Sequence, residues 1–566
     1  MERIDPNTQQ VMDALALAAR KLPEGRQDAV ALLERLGRTQ EPRAALAVLP
    51  VIWPGMMPRV FTPPGLSIDR WFDARGMSDV IAAAEVAIAR LLSSMPPETL
   101  PDLDEAVRRL DSDAWHIGPS RGHRSWVAPP APDHIGKGPA KIPLLGLLAS
   151  HADGYVREAA VAQLAASADP AALPFLLWRC ADWVGPVRNR AERAVRAHLR
   201  VERAPEFARL LPLVARLERL RRVDTSALIA DIRALLLRES ELVSLTASLR
   251  SDSKLARREA CRVLDGLDLA SRPDILELAL GSDDPVVRSW LPSWEQRLRP
   301  VAPAIAAGLR RRLVSDPSSR IRLRTQEAMV AAGDDWAGDR LHEALLDTSP
   351  TIRHLARFHL GKRDPAMDFA AWYRAALSQG GMRTASAIVG LGETGVPADC
   401  NVVIAFLSRP ARQARAALKA AAYLDADACH DALLTTLADR RDGVCRQALA
   451  LLALRLPEPD AATLQRLWPQ ASTPVSRRAM AEAMLRLPPW PALIALLDAA
   501  RTDPDAHEGA AAAALAHWQP EHRATYAPVP PPAAVRDGAK SALREAADAL
   551  PADIVERIEG VLDASQ

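Results

Sequence analysis

The stretch DGYVREAA at 153–160 decides the fold, because it returns. A polar turn, an apolar residue, an arginine, two variable positions and a small or apolar residue recur as GPVRNRA (185–191), DPVVRSWL (284–291), SRIRLRT (319–325) and SPTIRHLA (349–356). Looser copies lie at 255–260, 382–386, 414–418, 445–449 and 476–480. The arginines set the register: Arg157, Arg188, Arg257, Arg288, Arg322, Arg353, Arg383, Arg415, Arg446 and Arg477. Their successive separations are 31, 69, 31, 34, 31, 30, 32, 31 and 31. A fixed period of this size marks a repeat architecture. The long step is about two periods plus an insertion, and Arg233 is the candidate for its missing copy.

Each unit reads as two helices. IPLLGLLAS (142–150) is short and apolar, His151-Ala152-Asp153 is a turn, and 156–166 carries Val156, Ala160 and Leu164 on one face. Asp153 suits a helix N-cap, and Pro170 suits a helix start. One hairpin cannot bury its apolar face alone, whereas a stack of them can.

This pattern resembles HEAT repeats, in particular the short bacterial kind often named after phycobilisome lyases, over roughly 141–490. The resemblance implies an all-α superhelix, a HEAT-repeat solenoid. It also implies a ladder between adjacent repeats, in which the turn aspartate and the following arginine take part. That role falls on Arg157, Arg188, Arg288, Arg322 and Arg353, and bidentate, partly buried pairing suits arginine.

Outside the period, 1–140 is expected to be an irregular N-terminal helical cap, with helices near 7–22, 26–37, 42–49 and 77–94. Two Pro/Gly-rich stretches, 51–65 and 111–140, interrupt it. Residues 491–566 are expected to form a C-terminal helical cap, with a proline-rich linker near 527–534 and a last helix near 538–563.

Composition excludes several classes. Hydrophobic residues at 49% rule out wholesale disorder, and a net charge of +2 carries no global call to nucleic acid or an anionic membrane. No stretch approaches the ~20 apolar residues that span a bilayer, and the first residues lack the apolar core of a signal peptide. Cys180, Cys261, Cys400, Cys429 and Cys445 show no C-x-x-C spacing, which argues against zinc and against a disulfide framework; reduced thiols in a cytoplasmic bacterial protein are expected.

No phosphate loop, dinucleotide fingerprint, nucleophile elbow or zinc-protease motif is present. Deoxyhypusine hydroxylases share the architecture and bind iron through paired His-Glu motifs. Here only His342-Glu343 and His507-Glu508 have that dipeptide, more than five repeats apart. No cofactor, metal or catalytic residue is expected. Arg190, Arg193, Arg196, Arg310, Arg311 and Arg312 are the candidates for a nucleic-acid contact, but neither the position one nor five residues after the ladder arginine is basic in successive repeats. The reading favours a non-catalytic scaffold that binds a protein partner, with nucleic-acid binding as first alternative and an enzyme of unrecognised type as second. Within 111–140, Trp115, His116, Arg121, His123, Arg124 and Trp126 form the candidate contact site, since tryptophan and arginine are enriched at binding hot spots. The competing reading makes that segment part of the cap, with both tryptophans folded back.

Overall fold

Among the described residues every regular element is a helix. The structure, a computed structural model, describes residues 5–20, 26–39, 41, 44–45, 47–48, 78–93, 95–114, 138, 140–238, 242–454, 459–503, 505–520 and 532–564, and no described residue lies in a strand. The chain divides into two compact units, Met1–Arg312 and Leu313–Gln566. Among the described residues, no single helix is long and apolar enough to cross a membrane.

In the first unit, helices Pro6–Arg20, Arg26–Leu36, Ser78–Ser93 and Leu100–Ala114 precede the repeats. The helix expected over 42–49 lies partly, and the 51–65 stretch wholly, outside the described residues. The first hairpin pairs Lys141–Leu148 with Gly154–Ala166, and the next pairs Leu173–Arg179 with Gly185–Ala197. The two second helices pack on each other. Val156, Ala160 and Leu164 are all buried, as their spacing requires. Asp153 caps its helix by accepting the Tyr155 amide at 2.8 Å.

The long step between Arg188 and Arg257 has a different cause from the one expected. Arg233 is not a ladder residue: it sits late in helix Ser226–Leu236 and donates to the Glu218 carboxylate at 3.0 and 2.7 Å. The intervening helices, Ala204–Arg209 and Leu211–Glu218, are joined by Leu210 alone, itself in helical conformation (φ −85°, ψ 0°), without an acidic turn, so no ladder position exists there. Ser226–Leu236 is the extra helix.

In the second unit the hairpins follow one another regularly. Thr384–Thr394 packs on Ala411–Leu424, which packs on Asp442–Leu454, which packs on Pro474–Met484. Gly392 permits the first of these approaches, since a Cβ there would come within 2.6 Å of the Ala420 Cα. The single last helix expected near 538–563 is two, Ala533–Ala546 and Ala552–Ala564. Pro551 forces the break by holding Leu550 extended (φ −119°, ψ 148°).

One cysteine expectation is corrected. Cys400 and Cys429 form a disulfide, with Cα atoms 6.8 Å apart. Their sequence separation of 29 is close to one period, which brings their repeats' neighbouring positions face to face. The search for C-x-x-C spacing could not detect such a pair. Cys180, Cys261 and Cys445 are free and buried.

The ladder is real and has a constant geometry. Seven arginines each donate to the carbonyl six residues earlier, in their own turn: Arg157 to His151, Arg188 to Asp182, Arg257 to Ser251, Arg288 to Ser282, Arg322 to Asp316, Arg353 to Asp347 and Arg477 to Ala471. Several also reach a carboxylate further along. Arg157 grips Asp182 at 3.0 and 3.1 Å, Arg322 grips Asp347 at 2.8 and 2.7 Å, and Arg257 meets Asp283 at 3.0 Å. Asp182 and Asp347 in turn accept the amides of Val184 and Ser349, so each arginine fixes its own turn and the next. Arg157 and Asp182 are fully buried, and Arg179, Asp104 and Arg108 extend their network to helix Leu100–Ala114. Arg383, Arg415 and Arg446 are exceptions: the first donates to the Glu343 carbonyl, the second makes no such bond, and the third donates to the Asp442 carbonyl four residues back at 3.1 Å.

Two outcomes follow from the ladder. Arg157→Ala removes the two-bonded partner of the buried Asp182 carboxylate, which keeps Arg179 and the Val184 amide, and urea unfolding should show a loss of about 1–3 kcal/mol; a variant as stable as wild type would refute the structural role. Burial alone would raise the Asp182 and Asp347 carboxyls, but hydrogen bonds from Arg157 and Arg322, and from the Val184 and Ser349 amides, outweigh it and hold both below the ordinary range. Folded values below the unfolded ~3.9 mean that their stabilisation is complete above about pH 4 and is lost as pH falls through the folded values. Melting temperature should therefore drop steeply in acid, and Asp182→Asn should flatten that slope; an unchanged slope would count against the assignment.

Candidate functional site

The six residues singled out in 111–140, namely Trp115, His116, Arg121, His123, Arg124 and Trp126, lie outside the described residues. The arginines considered for nucleic acid are placed. Arg190 meets Glu158 at 3.6 Å, Arg196 pairs with Glu192 at 2.9 Å and with Asp231, and Arg193 donates to the Asn189 carbonyl. Arg310 is buried against Glu295, Arg312 pairs with Glu277, and Arg311 is exposed. Most of this charge is neutralised by partners one turn or one repeat away. These side chains are not gathered into one basic face.

No group of three or more histidine, cysteine, aspartate or glutamate residues that could hold a metal ion occurs among the described residues. His342 turns its Nδ1 to the Gly338 carbonyl of its own helix at 3.0 Å. Burial pushes the Cys180 and Cys261 thiols up, the second to about 12, which makes both poor nucleophiles.

The residue that stands out in the first unit is Trp183, 69% exposed. It sits in the turn between Leu173–Arg179 and Gly185–Ala197, between two anchored neighbours. Asp182 is locked into the buried ion network and accepts the Val184 amide at 2.9 Å. With both neighbours pinned, the indole projects outward. The guanidinium of Arg157 lies 5.8 Å from its ring centroid, within cation–π range.

Trp183 forms one wall of a cleft of about 600 Å³. Trp178 lines the interior, and its indole N–H has no hydrogen-bond partner among the described residues. The opposite wall carries Arg216, Arg219 and Arg222, all exposed. Arg216 lies in helix Leu211–Glu218, Arg219 is its C-cap, and Arg222 lies in the bend that follows. None makes an ion pair with a described residue, whereas Asp104 and Asp182 on the cleft floor are saturated by Arg108, Arg157 and Arg179. Sequence reading passed over Trp183. Its signal was a large aromatic in a turn, between a capping aspartate and a helix-start Gly-Pro, where no core-facing period demands one.

No family model matches the chain. No curated protein matches it. Among solved structures it is similar to Kap95p in a complex with RanGDP, at 12% identity over 99% of this chain and 84% of that one, with a TM-score of 0.33. It is also similar to Kap121p bound to the extreme C-terminus of the protein phosphatase Cdc14p, at 13% identity over 96% of this chain and 64% of that one, with a TM-score of 0.29. A third is Kap121p bound to Pho4p, at 14% identity over 99% and 55%, with a TM-score of 0.23. Similarity at this level carries nothing about function across to this chain. The helical-repeat fold stands on the chain's own geometry, as an all-α stack of hairpins joined by an arginine ladder.

Proposed function

We propose that this protein is a non-catalytic scaffold that binds a protein partner, and that the Trp183 cleft is a contact surface of its first unit. The observation that carries the reading is the exposed indole beside three arginines that form no ion pair among the described residues. Tryptophan and arginine are the residue types that most often dominate binding energy. An indole held in water by its own backbone anchors is a standing cost unless something covers it. The cleft offers an aromatic face and three exposed arginines beside the carboxylates Asp102 and Glu105, which together suit an apolar side chain flanked by charged ones, acidic toward the arginines.

Nucleic acid is the competing occupant, because indoles stack on bases and arginines hold phosphates. The two separate in one experiment. A photo-crosslinking amino acid is placed at position 222 in the native host, and the adducts are identified with and without nuclease treatment. The expected result is a discrete, nuclease-resistant protein adduct that disappears in Trp183→Ala while the melting temperature stays within about a degree of wild type. Adducts that vanish with nuclease would overturn the reading, as would an adduct pattern unaffected by Trp183→Ala.

A further inference from the structure

The ladder bond is missing at Arg383, Arg415 and Arg446, and at Arg415 the turn carbonyl is engaged from another repeat. Arg415 occupies the ladder position of its repeat, so its acceptor should be the Arg409 carbonyl. That carbonyl is taken by Arg441 of the following repeat, which also donates to the Leu407 carbonyl at 2.7 Å. Arg441 is itself held by Asp439, with Nε 2.8 Å from Oδ1. Arg415 does not share that carbonyl; it is exposed at the surface, and no ion pair involves it among the described residues.

Arg412 and Lys419 flank it on helix Ala411–Leu424, also exposed and also outside every ion pair of the described residues. Spacings of three and four put all three cations on one face, about 4.5 and 6 Å apart along the axis. They line a cleft of about 480 Å³ whose floor is apolar, with Ala385, Val389 and Ala416. Its one carboxylate, Glu393, is already held by Arg353 at 3.2 Å and Arg357 at 2.8 Å. Four cations, Arg353 with the three on the helix, thus line the cleft against a single carboxylate. A second cleft of about 410 Å³ shares Thr348, Ser386 and Arg412 with it, so the two form one groove; its carboxylates Asp347 and Glu343 are paired with Arg322 and Arg340, and Asp316 accepts the Ser318 amide. At the far lip stands Met382, 96% exposed. Gly380 and Gly381, both at positive φ (67° and 115°), make the turn that presents it.

We propose that this groove of the second unit binds an acidic, extended peptide segment of a protein partner. Carboxylates on alternate residues of an extended chain recur every ~6.8 Å, which the three flexible cationic arms can follow. The apolar floor and Met382 accept the side chains between them, and thioether surfaces adapt to varied partners. A phosphate backbone fits less well. A solenoid that tracks one repeats its cations in successive units. Here the positions equivalent to Arg412 are Pro350, Gly380, Gly443 and Pro474, and those equivalent to Lys419 are the paired Arg357 and the neutral Ala387, Ala450 and Ala481. Only the Arg415 position recurs, as the exposed Arg383 and Arg446, so the cluster of three cations on one helix face belongs to a single repeat, as a short acidic segment requires.

The proposal rests on a protein partner, as does the function proposed above, but it uses different residues, so the two can fail separately. The test uses the full chain and two fluorescein-labelled probes followed by anisotropy: a short peptide with glutamate at alternate positions separated by leucine and alanine, and an oligo-dT. The peptide should bind, more weakly as salt rises. R412E/R415E should weaken it by about tenfold or more, Lys419→Gln by less, and Trp183→Ala should leave it unchanged. Circular dichroism confirms that the exposed substitutions leave the helices intact. No peptide binding by wild type would overturn the proposal, as would binding indifferent to R412E/R415E. Tighter binding of oligo-dT, lost in the same double variant, would overturn it in favour of a nucleic acid.

Discussion

A guanidinium that serves two turns at once is the interaction on which this structure depends. A helical hairpin leaves carbonyls unpaired where its first helix ends, and a stack of hairpins needs a device to fix each turn against its neighbour. One arginine supplies both. It closes its own turn by donating six residues back, and it grips an aspartate that caps the next helix pair. Burying such a charge is costly unless every donor is met. Around Arg157 the requirement is satisfied by a cluster of three guanidiniums and two carboxylates that also ties in helix Leu100–Ala114.

That requirement explains why the repeat was legible. The arginine position is dictated by backbone carbonyls, so it tolerates little drift, and a period near 31 emerges from single residues. Asp153 and the buried face of Val156, Ala160 and Leu164 were readable for the same reason, being local in sequence. What escaped reading was non-local. Arg233 imitates the ladder pattern but lies inside a helix, where no turn carbonyl is available, and only the position of Glu218 shows its true partner. Cys400 and Cys429 meet because two hairpins stack, which a search for close spacing cannot see. Pro551 could have announced the break in the final helix, since proline restricts the residue before it.

The binding surfaces were the least legible part. Trp183 belongs to a turn and Arg216 to a different repeat, and no local pattern links them. The basic runs that did catch the eye, around Arg190 and Arg310, are consumed by partners such as Glu158 and Glu295. Charge that is conspicuous along the chain is therefore not the charge that remains available. Availability is decided by which acceptors lie a repeat away.

The contest between Arg415 and Arg441 for the Arg409 carbonyl bears on how such a chain can change over time. Repeat arrays are usually pictured as interchangeable cassettes that duplicate and delete freely. Here the surface chemistry of one cassette is written in the next. Excising the hairpin that carries Arg441 would free the Arg409 and Leu407 carbonyls beside Arg415 and open a route for that cation back into its own turn. A deletion that leaves the stack intact would thus silence a surface it never touched, and the array must be inherited as an ordered text rather than as a set of spare parts.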